Sequence, residues 1–319
     1  MAGILAADLQ YVLNTIPLSD YQKAFGLDET FVNLVGGLKP GPGRIQIPFH
    51  YAGNTTAGSF IEGDDLSTAG KQSRRMLAFD YKRIYVTAGV DGLQEAIANN
   101  GGIVGINDLL NSEVMRAVED LMDELNTQAL SDGTGNSSAD VSGVQFQIAD
   151  DNTWGGLARA SYAWLQAYQN DNGGEDRALT EELMRTIHNT LVDTRKSKYN
   201  AILCGSDIYD AYEDLMGDRK RYIDMKVGDI SFKGLSFKQR PLISIPGYAA
   251  NRMDWIRKGD LVLKYLPIQS VDNKNRVVKG PFKVEEVAKT SDDTYFNIIM
   301  YPQLVCLNPW KQATLKDVE

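Results

Sequence analysis

Two runs of alternating residues, set apart by a long polar stretch, constrain the fold more than any other feature of this chain. Ile45, Ile47, Phe49 and Tyr51 alternate with Arg44, Gln46, Pro48 and His50. Farther on, Leu77, Phe79 and Tyr81 alternate, followed by Ile84, Val86, Ala88 and Val90. A period of two marks strands with one buried face, and Pro48 places the first strand on an edge. Between the runs lies AGNTTAGSFIEGDDLSTAGKQSRR, rich in Gly, Ser and Thr. A compact domain rarely keeps so long a loop without a use for it. A protruding two-stranded hairpin is barely stable alone in water. The hairpin therefore needs a second surface, and a neighbouring copy of the chain is the natural source.

Residues 1–43 carry the same implication. Short apolar groups (Leu5, Leu9, Val12, Leu13, then Tyr21, Phe25, Phe31, Leu34) are cut by Pro17, Gly36-Gly37 and the Pro40-Gly41-Pro42-Gly43 run. The spacing predicts a short helix near 29–36. The segment reads as an arm too broken to fold by itself, lying on something larger. An arm and a hairpin with no burial at home imply exchanged contacts between copies. Contacts between unlike patches propagate into rings or closed lattices, and many weak ones add through multivalency.

The remainder reads as α+β. Ile106, Leu109, Leu110, Val114, Ala117, Leu121, Leu125 and Ala129 fall at three- and four-residue spacing. This predicts a helix over 106–130, roughly 37 Å long at ~1.5 Å per residue, ended by Gly133 and Gly135. Val144, Phe146 and Ile148 alternate, which predicts a strand. From 178 the pattern mixes α and β. Thr180 is a candidate N-cap, with Glu181 and Glu182 suited to the positive end of the helix dipole. Leu183, Ile187 and Leu191 form that helix's apolar stripe. Strands are expected over 200–205, 232–237, 242–245, 261–266, 282–287 and 295–307, with a second helix over 207–216.

Composition closes off several function classes. The 319 residues are 43% hydrophobic and 24% charged, ordinary for a chain with a packed core. No apolar run reaches the roughly 18–20 residues of a membrane helix, and the N-terminus lacks the basic region of a signal peptide. Net charge is −9, and the longest basic block is Arg219-Lys220-Arg221. Nucleic-acid affinity rests on Lys and Arg neutralising phosphates, so a genome-coating role is disfavoured. A wall that holds DNA by enclosure remains compatible with the charge.

Chemistry is equally sparse. The two histidines, His50 and His188, share no zinc-site spacing, and each is best read as structural. Cys204 and Cys306 sit in apolar stretches, as small buried hydrophobes do. A Cys204 nucleophile with His188 as base has no local signature behind it. Gly70-Lys71 lacks the earlier Gly and following Ser or Thr of a phosphate loop, since those places hold Asp65 and Gln72. Glu62, Asp64 and Asp65 cluster on the loop tip. A hard-cation site is one reading; an acidic patch that meets Lys or Arg of another copy is the better one, and Arg74 and Arg75 on the same hairpin suit it. Tyr162, Trp164 and Tyr168 lack the interleaved basic residues of a base-stacking surface and read as core. No catalytic residue, cofactor site or metal site is assigned.

Five segments, in order and at matching spacing, resemble the major capsid proteins of tailed double-stranded-DNA bacteriophages, whose fold is shared with encapsulins. They are GLKPGPGRIQIPFHYAGNTT; LSDGTG with GVQFQIAD; DNTWGGLARASYAWLQAYQNDNGG; YNAILCGSDIYDAYEDL; and FKGLSFKQRPLISIPGYAANRMDWIRKGDLVLKYLP. No one of them is specific alone. The resemblance implies an N-terminal arm (1–43), an extended hairpin loop (44–92), a peripheral domain with a long spine helix (93–177 and 271–319) and an axial domain (178–270). It implies a non-enzymatic virion protein that assembles with itself into hexamers and pentamers, closing an icosahedral shell around DNA in the host cytoplasm. The implied partners are a portal protein, a scaffolding protein or protease during assembly, a decoration protein and packaged DNA bound without sequence preference. The tip residues Glu62, Asp64, Asp65, Lys71, Arg74 and Arg75 become expected inter-subunit contacts. Some relatives link subunits covalently through a loop lysine, and Lys71 is the only lysine in this tip. Two other readings stay open: an encapsulin-type compartment that encloses enzymes, and a soluble α/β enzyme of unrecognised type.

Overall fold

A computed structural model of the chain describes residues 6–15, 31–52, 56–65, 73–90, 102–217, 222–227, 230–271, 277–287 and 294–319. Two helices belong to the arm, α1 (Ala6–Thr15) and α2 (Phe31–Leu34). The second fulfils the helix expected near 29–36. Leu13, Phe31, Val32, Leu34 and Val35 are all buried in the main core. The expectation that the arm finds no burial at home is therefore corrected for these residues: their apolar side chains are packed inside their own chain. Tyr21 and Phe25 lie outside the described residues.

After the short strand β1 (Leu38–Pro40), the predicted hairpin forms from β2 (Ile45–Ala52) and β3 (Ser73–Phe79), paired antiparallel from Ile45↔Phe79 to Ala52↔Ser73. Strand β4 (Ile84–Val90) continues into other company. The long helix α3 runs from Gly102 to Leu130, four residues longer at its start than the spacing predicts. Val114, Ala117, Val118, Leu121, Met122 and Leu125 are its buried stripe, and burial of one Leu side chain is worth about 1.5–3 kcal/mol. Past its end, Gly133 takes a left-handed conformation (φ +72°). Asn136, Ser137 and Ser138 then share positive φ, pinned by Lys82 Nζ donating to the Ser138 carbonyl.

Residues 144–148 differ from expectation. They form a helical turn, α4 (Val144–Gln147), not a strand. The reason lies in Gln147, a polar residue with no exposed surface. Its Nε2 donates to the Leu304 carbonyl (2.8 Å), and its Oε1 accepts from Trp154 Nε1 (2.8 Å) and the Cys306 N–H (3.1 Å). These bonds turn Gln147 inward beside Val144 and Ile148, at helical spacing. Reading Gln147 as the solvent side of a strand therefore misassigns the period. The short strands β5 (Thr153–Trp154), β6 (Leu157–Ala158) and β7 (Tyr168–Asn170) follow, the first two paired with each other.

Helix α5 (Glu181–Asn189) starts where Thr180 caps it, the threonine side chain accepting the Leu183 N–H. Strand β8 (Ala201–Cys204) leads to α6 (Ser206–Met216). Then come β9 (Tyr222–Val227), β10 (Ile230–Phe237), β11 (Arg240–Ser244), β12 (Arg252–Ile256), β13 (Leu261–Tyr265), β14 (Ile268–Val271), β15 (Val277–Gly280), β16 (Phe282–Glu286), β17 (Thr294–Met300), β18 (Pro302–Cys306) and β19 (Ala313–Lys316).

Seven strands form the principal sheet, in the order β7-β19-β12-β8-β11-β10-β9. Its centre is β8, buried at every position. Alternate β8 residues serve different cores: Ala201 and Leu203 face the core shared with α3 and the hairpin base, whereas Ile202 and Cys204 face the core built with α5 and α6. A strand covered on both faces reads as a continuous apolar run. Two three-stranded sheets, β1-β13-β18 and β16-β17-β4, complete the other core. Helix α1 closes the open edge of β16: Asn14 accepts from the Phe282 N–H (3.0 Å) and donates to the Phe282 carbonyl (2.9 Å), and Gln10 accepts from the Val284 N–H (3.2 Å).

A buried ion pair ties the principal sheet to α4. Arg252 Nε lies 2.9 and 3.0 Å from the Asp254 carboxylate oxygens, and Arg252 Nη2 donates to the Ile148 carbonyl (3.0 Å). Tyr248 donates its hydroxyl to the same carboxylate. Burial opposes the Arg252 charge, but Asp254 and then Tyr248 outweigh it and raise the guanidinium pKa.

Candidate assembly surface

The hairpin is the element that leaves the body, and its attachment is graded. At the base, Ile45, Leu77 and Phe79 are buried in the main core. Gly155 comes so close to Leu77 that a Cβ there would sit 2.8 Å from the Leu77 Cβ. Phe79 meets Trp154 edge-on (5.0 Å between centroids). Farther out, Phe49 stacks on Trp164 (4.8 Å, 28°) and Tyr51 stacks on the same indole (5.2 Å, 22°). On the partner strand the Arg75 guanidinium lies 5.5 Å from the Tyr162 ring. The second expectation of an unburied segment is thus corrected for the hairpin base, which its own chain covers.

Beyond Tyr51 the described residues of the tip, 56–65, project. A turn holds them, with the Asp64 N–H donating to the Ile61 carbonyl (3.0 Å) and the Asp64 carboxylate accepting the Ile61 N–H (2.9 Å). Glu62, Asp64 and Asp65 are exposed together at this tip. Arg74 and Arg75 are exposed on β3, on the shaft and not at the tip. Lys71 lies outside the described residues. Sequence reasoning about a polar tip passes over Phe60 and Ile61, which are 65% and 77% exposed. The available signal is a Phe-Ile pair inside a loop of Gly, Ser, Thr and acids.

The remaining candidates fall into structural roles. Cys204 and Cys306 are fully buried free thiols. Burial pushes the Cys204 thiol well up and raises Cys306 to about 12, the reverse of an activated nucleophile. His188 Nδ1 lies 2.7 Å from the Tyr199 hydroxyl. Burial and then Lys238 lower the imidazole pKa, and burial pushes Tyr199 up to about 12. His50 pairs with Arg74 across the hairpin. Among the described residues no three His, Cys, Asp or Glu side chains gather as a metal site. No described helix is long and apolar enough to cross a membrane.

The described residues thus present a β-ribbon carried on a two-core α+β body. Comparison with solved structures gives the fold its kinship. The capsid asymmetric unit of cyanophage A-1(L) superposes with a TM-score of 0.71 at 14% identity, over 91% of this chain and 92% of that one. The capsid of the native GTA particle gives 0.58 at 11%, over 90% of each chain. The holo-SrpI encapsulin complex of Synechococcus elongatus gives 0.56 at 11%, over 88% and 85%. A search of curated protein sequences found no match. The profile described as SU10 major capsid protein matches residues 49–319. The chain belongs to that family: it is a self-assembling, non-enzymatic capsid shell protein with the capsid fold common to tailed phages and encapsulins.

Proposed function

We propose that this chain builds the hexamers and pentamers of an icosahedral phage head that encloses double-stranded DNA. The observation that carries the reading is the family match over residues 49–319, joined to a hairpin tip whose Phe60 and Ile61 are exposed among the described residues. In this assignment 1–43 is the arm and 44–92 the extended loop. The peripheral domain is 93–177 with 271–319, with α3 as its spine. The axial domain is 178–270, and β7 and β19 lend their strands to its sheet. The tip residues Glu62, Asp64 and Asp65, with Phe60 and Ile61, meet a neighbouring copy, and Lys71, Arg74 and Arg75 add basic partners along the ribbon. DNA is held by enclosure: net charge is −9, and the exposed side of α3 carries Asp120, Asp123 and Glu124. A portal protein, a scaffolding protein or protease and a decoration protein are the proposed partners in the cell, where assembly occurs in the host cytoplasm.

The test is electron microscopy of the purified chain, alone and co-expressed with its neighbouring genes. The reading expects hollow particles with five-fold and six-fold clusters, which contain DNA when isolated from infected cells. A monomer or small oligomer under every assembly condition overturns it. Particles that enclose an enzyme and no nucleic acid assign the chain to the encapsulin side of the fold instead.

A further inference from the structure

The hairpin register breaks at one place. His50 pairs with Arg74 and Ala52 pairs with Ser73, so Tyr51 is an extra residue on β2. A bulge bends a ribbon, increases its twist and re-aims the bulged side chain. Here the bulged side chain is the one whose ring stacks on Trp164 at 5.2 Å. Phe49, two residues earlier on the same face, stacks on the same indole at 4.8 Å, and Tyr162 packs against it at 5.6 Å. Among the described residues, Trp164 thus meets both outer aromatics of β2, beside the register break.

The body behind this contact is stiff. Leu165, the next residue, has no exposed surface. The preceding turn is fixed by Arg159, buried and bonded to the Gln147 carbonyl (3.0 Å) and the Ala149 carbonyl, with its guanidinium 5.1 Å from the Trp154 ring. On the other side, a two-stranded ribbon with both edges open has little rigidity of its own. The contacts that restrain the outer ribbon are then the aromatic stack on β2 and Arg75 of β3 over Tyr162.

We propose that Trp164 and the bulged Tyr51 form a positioning joint that fixes the direction in which the outer hairpin leaves the body, and through it the curvature at which neighbouring copies meet. The inference rests on the shell reading for its second half only. Flat rings in offset stacks resist sliding and tilting, unlike an aliphatic contact of equal area. An aliphatic residue at 164 keeps the burial and loses the angular restraint.

Two measurements test it. Hydrogen exchange on unassembled subunits compares the native chain with Trp164→Leu, Trp164→Phe and Tyr51→Ala. The joint expects exchange of β2 and β3 amides to rise about tenfold in Trp164→Leu and Tyr51→Ala, with β8 and β12 unchanged and Trp164→Phe near native. Microscopy of assembled material then expects a broadened diameter distribution or open sheets for the first two variants and native particles for Trp164→Phe. Tyr51 is 37% exposed, so its variant folds even where a change at 164 does not. Unchanged exchange in Tyr51→Ala overturns the joint. Raised exchange with particles of native diameter overturns its role in curvature. Absence of particles from the native chain overturns the shell reading and the curvature claim with it, while exchange still decides the joint.

Discussion

Asp254 sits inside the protein with Arg252 on one side and Tyr248 on the other, and all three are buried. Removal of one partner from a buried pair leaves an uncompensated charge, at about 3–5 kcal/mol. Asp254→Ala is expected to lower unfolding free energy by that amount in denaturant titration. Thr180→Ala removes only a cap and is expected to cost about 1 kcal/mol. His188 adds a pH dependence. Its folded pKa lies below 6.5, chiefly through burial, so the unfolded chain binds the proton first as pH falls. Stability contributed by the neutral ring is complete above pH 6.5 and declines between 6.5 and the lower folded value. His188→Gln is expected to flatten that part of a melting-temperature profile. Thr180 was legible because a cap is a local signal. Gln147 was not, because two of the groups that bury it come from residues 304 and 306, remote in sequence.

Elements divide the same way. The hairpin and α3 declare themselves through long, clean periodicity, and β8 through an unbroken apolar run. Strand β12 hides because two of its five residues, Arg252 and Asp254, are charged yet buried. β19 and β7 hide because they are four and three residues long, too short for any period to show. Nor does the alternation of residues 45–51 reveal the bulge at Tyr51, since register depends on the partner strand. The end of α3 makes a sharp prediction. A Cβ at Gly143 would sit 2.3 Å from the Ser131 carbonyl oxygen and 2.5 Å from that of Gln128. Gly143→Ala is therefore expected to force the helix terminus and α4 apart, seen as a melting transition lowered by several degrees and as lost protection of the Gln147 amide.

For the molecule as a whole, Phe60 and Ile61 are two adjacent apolar side chains, 65% and 77% exposed, on the hairpin tip. Phe60→Ser with Ile61→Ser touches no core residue and is expected to leave folding intact while abolishing closed particles, checked by circular dichroism beside microscopy. Native yield of closed particles from that variant would show that the tip makes no contact of consequence. The capsid fold was legible as an ordered set of five segments; the apolar character of the tip was not, since two residues among many polar ones barely alter composition.

One connection in the principal sheet governs timing. β19 lies between β7 and β12, so the sheet stays incomplete until residues 313–316 have emerged from the ribosome, long after the hairpin and α3 have done so. A nascent chain that has released only its ribbon and α3 therefore still lacks the strand that joins β7 to β12, and the body cannot close before that point.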